Sequence, residues 1–373
     1  MRGELLIVKG REYHYFADGN TAKGSYSLFD TNFSELDRVF ILKGGPGNGK
    51  STLIKNIANG FNEQGYDVEY IHSTSDANSL DGVILSTAKI AIVDGTAPHI
   101  LEPKVAGAVE EYVNLGIAWN QKLLVSQKDK IKHLIEQKET HYAKAYDAFS
   151  EALEIHDEWE SIYITNMEYD KLDGLTEELK VRFFQDIELN KDANVRHRFL
   201  GAATPKGAID FVPNLTEGLR KRYFLKGRPG SGKSTLLKKL AATAESKGFD
   251  VEIYHCGFDP NSLDMLIFRE LGMAIFDSTA PHEYFPTREG DEIIDLYHIA
   301  IIPATDEIYE EQISDIASRY REKMNEGTAN LAEAKRVHEK LREIYIGATD
   351  FSIVEHIQND ITSTISEMLK END

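Results

Sequence analysis

The chain is poor in cysteine, with one, Cys256, among 373 residues. A lone thiol cannot close an intrachain disulfide, so a disulfide-stapled fold is excluded and a reducing compartment is expected. Cys256 stands at the end of an expected strand, where a small semi-buried side chain is a simpler reading than a reactive thiol. Long apolar runs are also missing. Mean hydropathy is −0.39, and no run approaches the roughly 18–20 apolar residues that cross a bilayer. Leu5 to Val8 is too short a core for a secretion leader. The expectation is a soluble, cytoplasmic protein with no membrane insertion. Positive charge is in deficit: 42 Lys and Arg against 62 Asp and Glu leave a net charge of −20. General nucleic-acid binders carry a basic face that grips phosphates, so that class is disfavoured. Acidic helix faces that keep the chain soluble account for the excess. Glycine and proline are absent between Gly116 and Gly174, which leaves nothing there to break a long helix.

Glycine is instead concentrated in two short stretches. Gly44, Gly45, Pro46, Gly47, Asn48, Gly49, Lys50, Ser51 and Thr52 form one. Gly227, Arg228, Pro229, Gly230, Ser231, Gly232, Lys233, Ser234 and Thr235 form the other. Both spell G-x-x-x-x-G-K-S. Each follows an apolar run with strand character (Val39 to Leu42; Tyr223 to Leu225) and leads into a helical run (Leu53 to Ile57; Leu236 to Leu240). Strand, loop and helix in that order are the context a phosphate-binding loop requires. Glycines let the backbone curl until its N–H groups point at phosphate oxygens, and the helix N-terminus adds positive potential at the same place. Lys50 and Lys233 would reach the β- and γ-phosphates, and Ser51 and Ser234 would hold Mg²⁺.

The two lysines lie 183 positions apart, and the same offset superposes the chain without a gap from His14 to Gly107. Along it His72 meets His255, Asp76 meets Asp259, and Asn78-Ser79-Leu80-Asp81 meets Asn261-Ser262-Leu263-Asp264. Asp94, Thr96, Ala97, Pro98 and His99 meet Asp277, Thr279, Ala280, Pro281 and His282. Packing alone would keep apolar character rather than identical polar residues, and neighbouring positions have diverged (Phe61 to Ala244, Ile100 to Glu283). The pattern is one domain used twice. The expected fold is α/β, with two tandem cores of parallel sheet covered by helices on both faces. A short helix is expected near Ser79 and Ser262. Each core is followed by a long helical arm whose apolar residues recur at alternating spacings of about three and four, as in a helix with a narrow seam. Gly327 marks either a hairpin turn or a weak point in the second arm. The expected boundaries are a first nucleotide-binding core at 1–117, a first arm at 118–192, a second core at 193–302 and a second arm at 303–373.

Four apolar residues ending in Asp94, and again in Asp277, suit a strand that delivers a carboxylate to the edge where ligands bind in open sheets. Those aspartates would hold Mg²⁺ through its water shell. No glutamate follows either of them: the next residues are Gly95 and Ser278. His99 and His282 are the candidates to orient water or sense the γ-phosphate in its place. His72 and His255 are weaker candidates, with fixing a loop the simpler role. Asp76, Asp259, Asp81 and Asp264 suit turn capping, with general-base work the alternative. Arg228 would act as an internal arginine finger or face solvent.

These motifs resemble the P-loop NTPase superfamily. The layout is similar to a little-characterised bacterial group of tandem P-loop ATP-binding proteins, which shares the loop Lys43 to Thr52 with Asp94 to His99, and Lys226 to Thr235 with Asp277 to His282. The resemblance implies ATP and Mg²⁺ as cofactors. No LSGGQ-type signature or convincing guanine motif is present, so ATP is preferred over GTP. The leading expectation is a Mg-dependent ATPase or nucleotide switch with two sites. The alternatives are a small-molecule or nucleotide kinase, and a non-catalytic protein that docks a partner through its arms when nucleotide is bound.

Overall fold

The computed structural model describes residues 8–97 and 100–371. In chain order the first repeat holds β1 (Glu12–Phe16), β2 (Asp18–Thr21), β3 (Gly24–Ser27), α1 (Phe29–Asn32), β4 (Arg38–Lys43), α2 (Lys50–Glu63), β5 (Val68–Ser73), β6 (Asp76–Leu85), β7 (Ile90–Asp94) and β8 (Glu110–Asn114). Three helices follow, α3 (Gln121–Ser126), α4 (Lys128–Thr165) and α5 (Tyr169–Phe184). The second repeat holds β9 (Val195–Phe199), β10 (Gly201–Thr204), β11 (Gly207–Asp210), α6 (Val212–Leu215), β12 (Lys221–Lys226), α7 (Lys233–Ser246), β13 (Val251–His255), β14 (Leu263–Phe268), β15 (Met273–Asp277) and β16 (Asp291–Asp295). Then come α8 (Leu296–Ala300), α9 (Thr305–Ile308), α10 (Glu310–Ile346) and α11 (Phe351–Glu371).

Two compact units result, and they are not the two repeats. One is made of the described residues of Met1–Asp18, Phe33–Ala143 and Asn330–Asp373. The other is made of Gly19–Asn32 and Lys144–Ala329. The first unit carries strands in the order β1-β5-β6-β7-β4-β8. The second carries the equivalent order β9-β13-β14-β15-β12-β16. In both, the strand before the glycine loop lies directly beside the strand that ends in aspartate, with Leu42 opposite Asp94 and Leu225 opposite Asp277.

The fold is α/β, but the sheets are mixed rather than parallel. β6 runs antiparallel to β5 and β7, and β14 to β13 and β15. The segments after Ser79 and Ser262, expected to be short helices, are these strands. The chain leaves β5 at Ser73 and pairs again at Asp76. A parallel return needs a crossover of about a dozen residues, so a turn this short forces an antiparallel neighbour. Leu80 and Val83 to Leu85 are buried, as are Leu263 and Met265 to Phe268. A short apolar run buried on both faces has no period that separates strand from helix.

Each sheet is covered by the helix that starts at its glycine loop and by one arm helix. On α2, Leu53, Ile54 and Ile57 cluster with Val354, Ile361 and Ile365 of α11. On α7, Leu236, Leu237 and Leu240 cluster with Leu172, Leu179 and Phe183 of α5. The apolar stripes of α4 and α10 form internal seams, with Leu134 against Val337 and Leu341 in the first unit and Tyr163 against Ile316 in the second. α10 passes Gly327 unbroken. No helix among the described residues is long and apolar enough to cross a membrane.

Candidate functional site

The site is built from the glycine loops outward. Gly47 and Gly49 have φ of 74° and 93°, and Gly230 and Gly232 have 71° and 89°, the left-handed region that only glycine enters cheaply. The result is the same curl in both loops. A Cβ on Gly44 would lie 2.0 Å from Nδ2 of Asn48, and one on Gly227 would lie 2.4 Å from Oγ of Ser231. So the fifth loop residue folds back under the first, and only a bare backbone makes room for it. Asn48 Nδ2 and Ser231 Oγ are buried without a hydrogen-bond partner among the described residues. α2 and α7 begin immediately after the curl, and neither N-cap glycine has a side chain to satisfy the first amides. Unsatisfied first-turn N–H groups and the helix dipole favour an anion there.

The polar residues expected at the loops converge in both units. Lys50 is buried, with Nζ 2.8 Å from the Gly45 carbonyl oxygen and 3.5 Å from an Asp94 carboxylate oxygen. Lys233 donates to the Arg228 carbonyl at 3.0 Å and lies 3.5 Å from Asp277. Ser51 Oγ accepts from the Leu80 N–H at 2.8 Å, and Ser234 Oγ accepts from Leu263 at 3.0 Å. Each hydroxyl is thereby oriented, with its own proton and one lone pair still available. Asp94 Oδ1 accepts the backbone and side-chain donors of Thr96 at 2.9 and 2.6 Å. Asp277 accepts the same pair from Thr279 at 3.0 and 2.7 Å. The second carboxylate oxygen of each aspartate is the one that faces the lysine.

A second carboxylate stands beside the first. Gly82 pairs with Val93, which places Asp81 next to Asp94, and Met265 pairs with Phe276, which places Asp264 next to Asp277. Burial, and then the Asp277 charge, push Asp264 well above the usual carboxylate range. A divalent cation would relieve that repulsion, so two carboxylates beside an oriented serine hydroxyl are a donor set that fits Mg²⁺.

His282 belongs to the same edge. Its Nδ1 is 2.8 Å from Asp210 Oδ2, and Tyr284 donates to Asp210 Oδ1 at 2.6 Å. Burial works against its charge, but Asp210, Asp264 and Asp277 outweigh burial and raise it. Pro98 and His99 lie outside the described residues. His72 and His255 are loop-fixing groups. His72 Nδ1 bonds the Ala77 carbonyl at 2.7 Å and its Nε2 meets His14 Nδ1 at 2.8 Å. His255 repeats this with Pro260 at 2.6 Å and His197 at 2.8 Å. Asp76 and Asp259 cap turns by accepting from Asn78 and Asn261, each at 3.2 Å. Arg228 pairs with Asp306 at 2.6 Å and sits over the Tyr297 ring.

Two further lysines hold the loop after each aspartate strand. Lys43 Nζ donates to the Gly95 carbonyl at 2.7 Å, and Lys226 Nζ donates to Ser278 at 2.6 Å and Tyr284 at 3.0 Å. Their repetition at the common offset was the signal for them. Asp210 and Tyr284 have no counterpart at that offset, where Ser27 and Leu101 stand, and nothing in the sequence marks them. Compared with known proteins, the chain matches no family model, no curated protein and no solved structure.

Proposed function

We propose that the chain binds a nucleoside triphosphate, ATP in preference to GTP, with Mg²⁺ at both glycine loops and hydrolyses it. One observation carries the reading. Lys50, Ser51 and Asp94 converge on a curled glycine loop at a helix N-terminus, and Lys233, Ser234 and Asp277 repeat the arrangement. Ser51 with Asp81 and Asp94, and Ser234 with Asp264 and Asp277, would hold Mg²⁺, which would supply positive charge against the phosphates. The loop amides would cradle the phosphates, and each lysine would exchange its carbonyl partners for phosphate oxygens. Asp81 and Asp264, beside Asp94 and Asp277, would add the second carboxylate of each site in place of the glutamate that does not follow those aspartates.

Titration calorimetry with Mg-ATP should find two binding events, and phosphate release should accompany them. Lys50→Ala and Lys233→Ala should each weaken one event by ten- to a hundredfold, the range of a lost charge-assisted contact of about 1.5–3 kcal/mol. Absence of heat with every Mg-nucleotide would overturn the reading. Binding without phosphate release would leave a nucleotide switch and remove the hydrolase.

A further inference from the structure

Each glycine loop is packed against an arm helix, and the arm is the one that follows the other repeat. In the first unit a Cβ on Gly47 would meet the Arg342 carbonyl oxygen at 2.8 Å, and one on Gly45 would meet the Tyr345 ring at 2.8 Å. In the second a Cβ on Gly230 would meet the Glu160 carbonyl oxygen at 2.5 Å, and one on Gly232 would meet Leu172 at 2.5 Å. So α10 lies on the loop of Lys50, and α4 lies on the loop of Lys233.

The face that α10 turns to the sheet edge can be traced residue by residue. Lys335, His338, Arg342 and Tyr345 follow at steps of three, four and three, which is one side of a helix. Lys335 pairs with Asp76 at 3.2 Å, at the start of β6, while Arg342 and Tyr345 touch the glycine loop. His338 therefore stands between these contacts, over the ground between the β5–β6 turn and the loop. Ser51, whose Oγ accepts from the Leu80 N–H of β6, joins that strand to the start of α2. Burial, and then the charges of Lys138, Arg342 and Lys50, hold His338 near 4, so its ring is neutral and keeps one N–H to donate.

His156 repeats this in the second unit. It lies one helical turn before Glu160, whose carboxylate oxygen is 3.8 Å from its Nδ1, and its ring centroid is 6.0 Å from that of Phe258. Burial lowers its pKa, Glu160 and Asp157 oppose that, and the Lys233 charge adds to it. The two histidines are 182 positions apart. At that offset Arg342 answers to Glu160, Glu339 to Asp157, Lys335 to Leu153 and Leu341 to Trp159. Charge or shape has changed at Arg342/Glu160, Lys335/Leu153 and Leu341/Trp159 and the acidic sign is kept at Glu339/Asp157, while the histidine has stayed, with Tyr345 and Tyr163 beside it. A seam residue needs only apolar bulk. A polar residue kept on a face directed at the loop lysine needs a polar partner there.

We infer that His338 and His156 are the groups through which the arms touch the terminal phosphate of the nucleotide, His338 at the loop of Lys50 and His156 at the loop of Lys233. The inference rests on the nucleotide-binding function proposed above. Each site is then completed by the arm of the other repeat, and the arm distinguishes a triphosphate from a diphosphate.

Calorimetry in the Lys233→Ala background isolates the first site, with a non-hydrolysable Mg-ATP analogue and Mg-ADP as the two probes. His338→Ala should weaken the triphosphate analogue about tenfold, the worth of one hydrogen bond to a charged oxygen, and leave ADP within about twofold. His338→Gln, which keeps an N–H donor, should recover most of that loss, and it decides the matter by the same comparison if the alanine variant does not fold. His156→Ala in the Lys50→Ala background should behave alike at the second site. Equal weakening of both nucleotides would show that the histidine only seats the helix, and no weakening would remove it from the site. If the unaltered protein binds no nucleotide at all, the function itself fails before the histidine is questioned.

Discussion

His72 shows how a histidine can be placed at a sheet edge and still serve the fold. Its Nδ1–H donates to Ala77, so its Nε2 must accept from His14. A second proton would put an N–H at the nitrogen with which His72 now accepts. Burial first, with the charges of His14 and Lys55 adding to it and the Ala77 bond opposing it, brings His72 down to about 4. An unfolded chain takes that proton near about 6.5. The stabilisation is therefore whole above 6.5 and is lost as pH falls towards 4, on the order of 3 kcal/mol in all. Thermal unfolding followed between pH 7 and pH 4 should show a falling midpoint for the first unit. His72→Asn keeps a donor for Ala77 and does not titrate, so it should flatten that fall. An unchanged slope would place the acid sensitivity elsewhere. The repeat offset singled this residue out, and fixing a loop was the simpler of the two roles it allowed. Its partner His14 was also on the offset, but the bond between the two needs β1 beside β5, which no local pattern specifies.

Elements were legible where a local rule decided them. α2 and α7 start at the loop lysines and end before Gly65 and Gly248, whose φ of 100° and 79° no helix continues. Asp350, an N-cap residue type standing directly before the apolar-periodic run of α11, caps that helix by accepting from the Ser352 N–H at 3.0 Å. β6 and β14 were not legible, because the number of residues in a turn, rather than their periodicity, made them antiparallel strands. Gly327 carries the opposite lesson. In an open helix, glycine to alanine gains about 1 kcal/mol. Here a Cβ at 327 would lie 2.3 Å from the ring of Phe149, which is wholly buried. That ring cannot swing away, so Gly327→Ala should destabilise the second unit by about 1–3 kcal/mol as an overpacked seam. Urea unfolding read through the second unit checks the sign, and a gain in stability would mean that α4 and α10 are free to part there.

At the scale of the whole chain, the assignment of arms to cores could not be read from order alone. Short connections make sequential neighbours the default partners, and by that rule α11 belongs with the second core and α5 with the first. The compact units instead join α11 to α2 and α5 to α7. Periodicity fixed which face of each arm is apolar, but an apolar face carries no address. The consequence is a prediction that sequence order would get backwards. Ending the chain after Asp350 removes Val354, Ile361 and Ile365 from the cluster on α2. Each is a buried aliphatic side chain worth roughly 1.5–3 kcal/mol, so the loss is a large part of what holds a domain folded. Amide exchange should then accelerate in α2, at residues 50–63, far from the cut in sequence. α7, at residues 233–246, belongs to the repeat that the arm follows and should keep its protection, because its cover is α5. Loss of protection in α7 with α2 intact would reverse the pairing of arms and cores, and would take with it the delivery of His338 to the loop of Lys50.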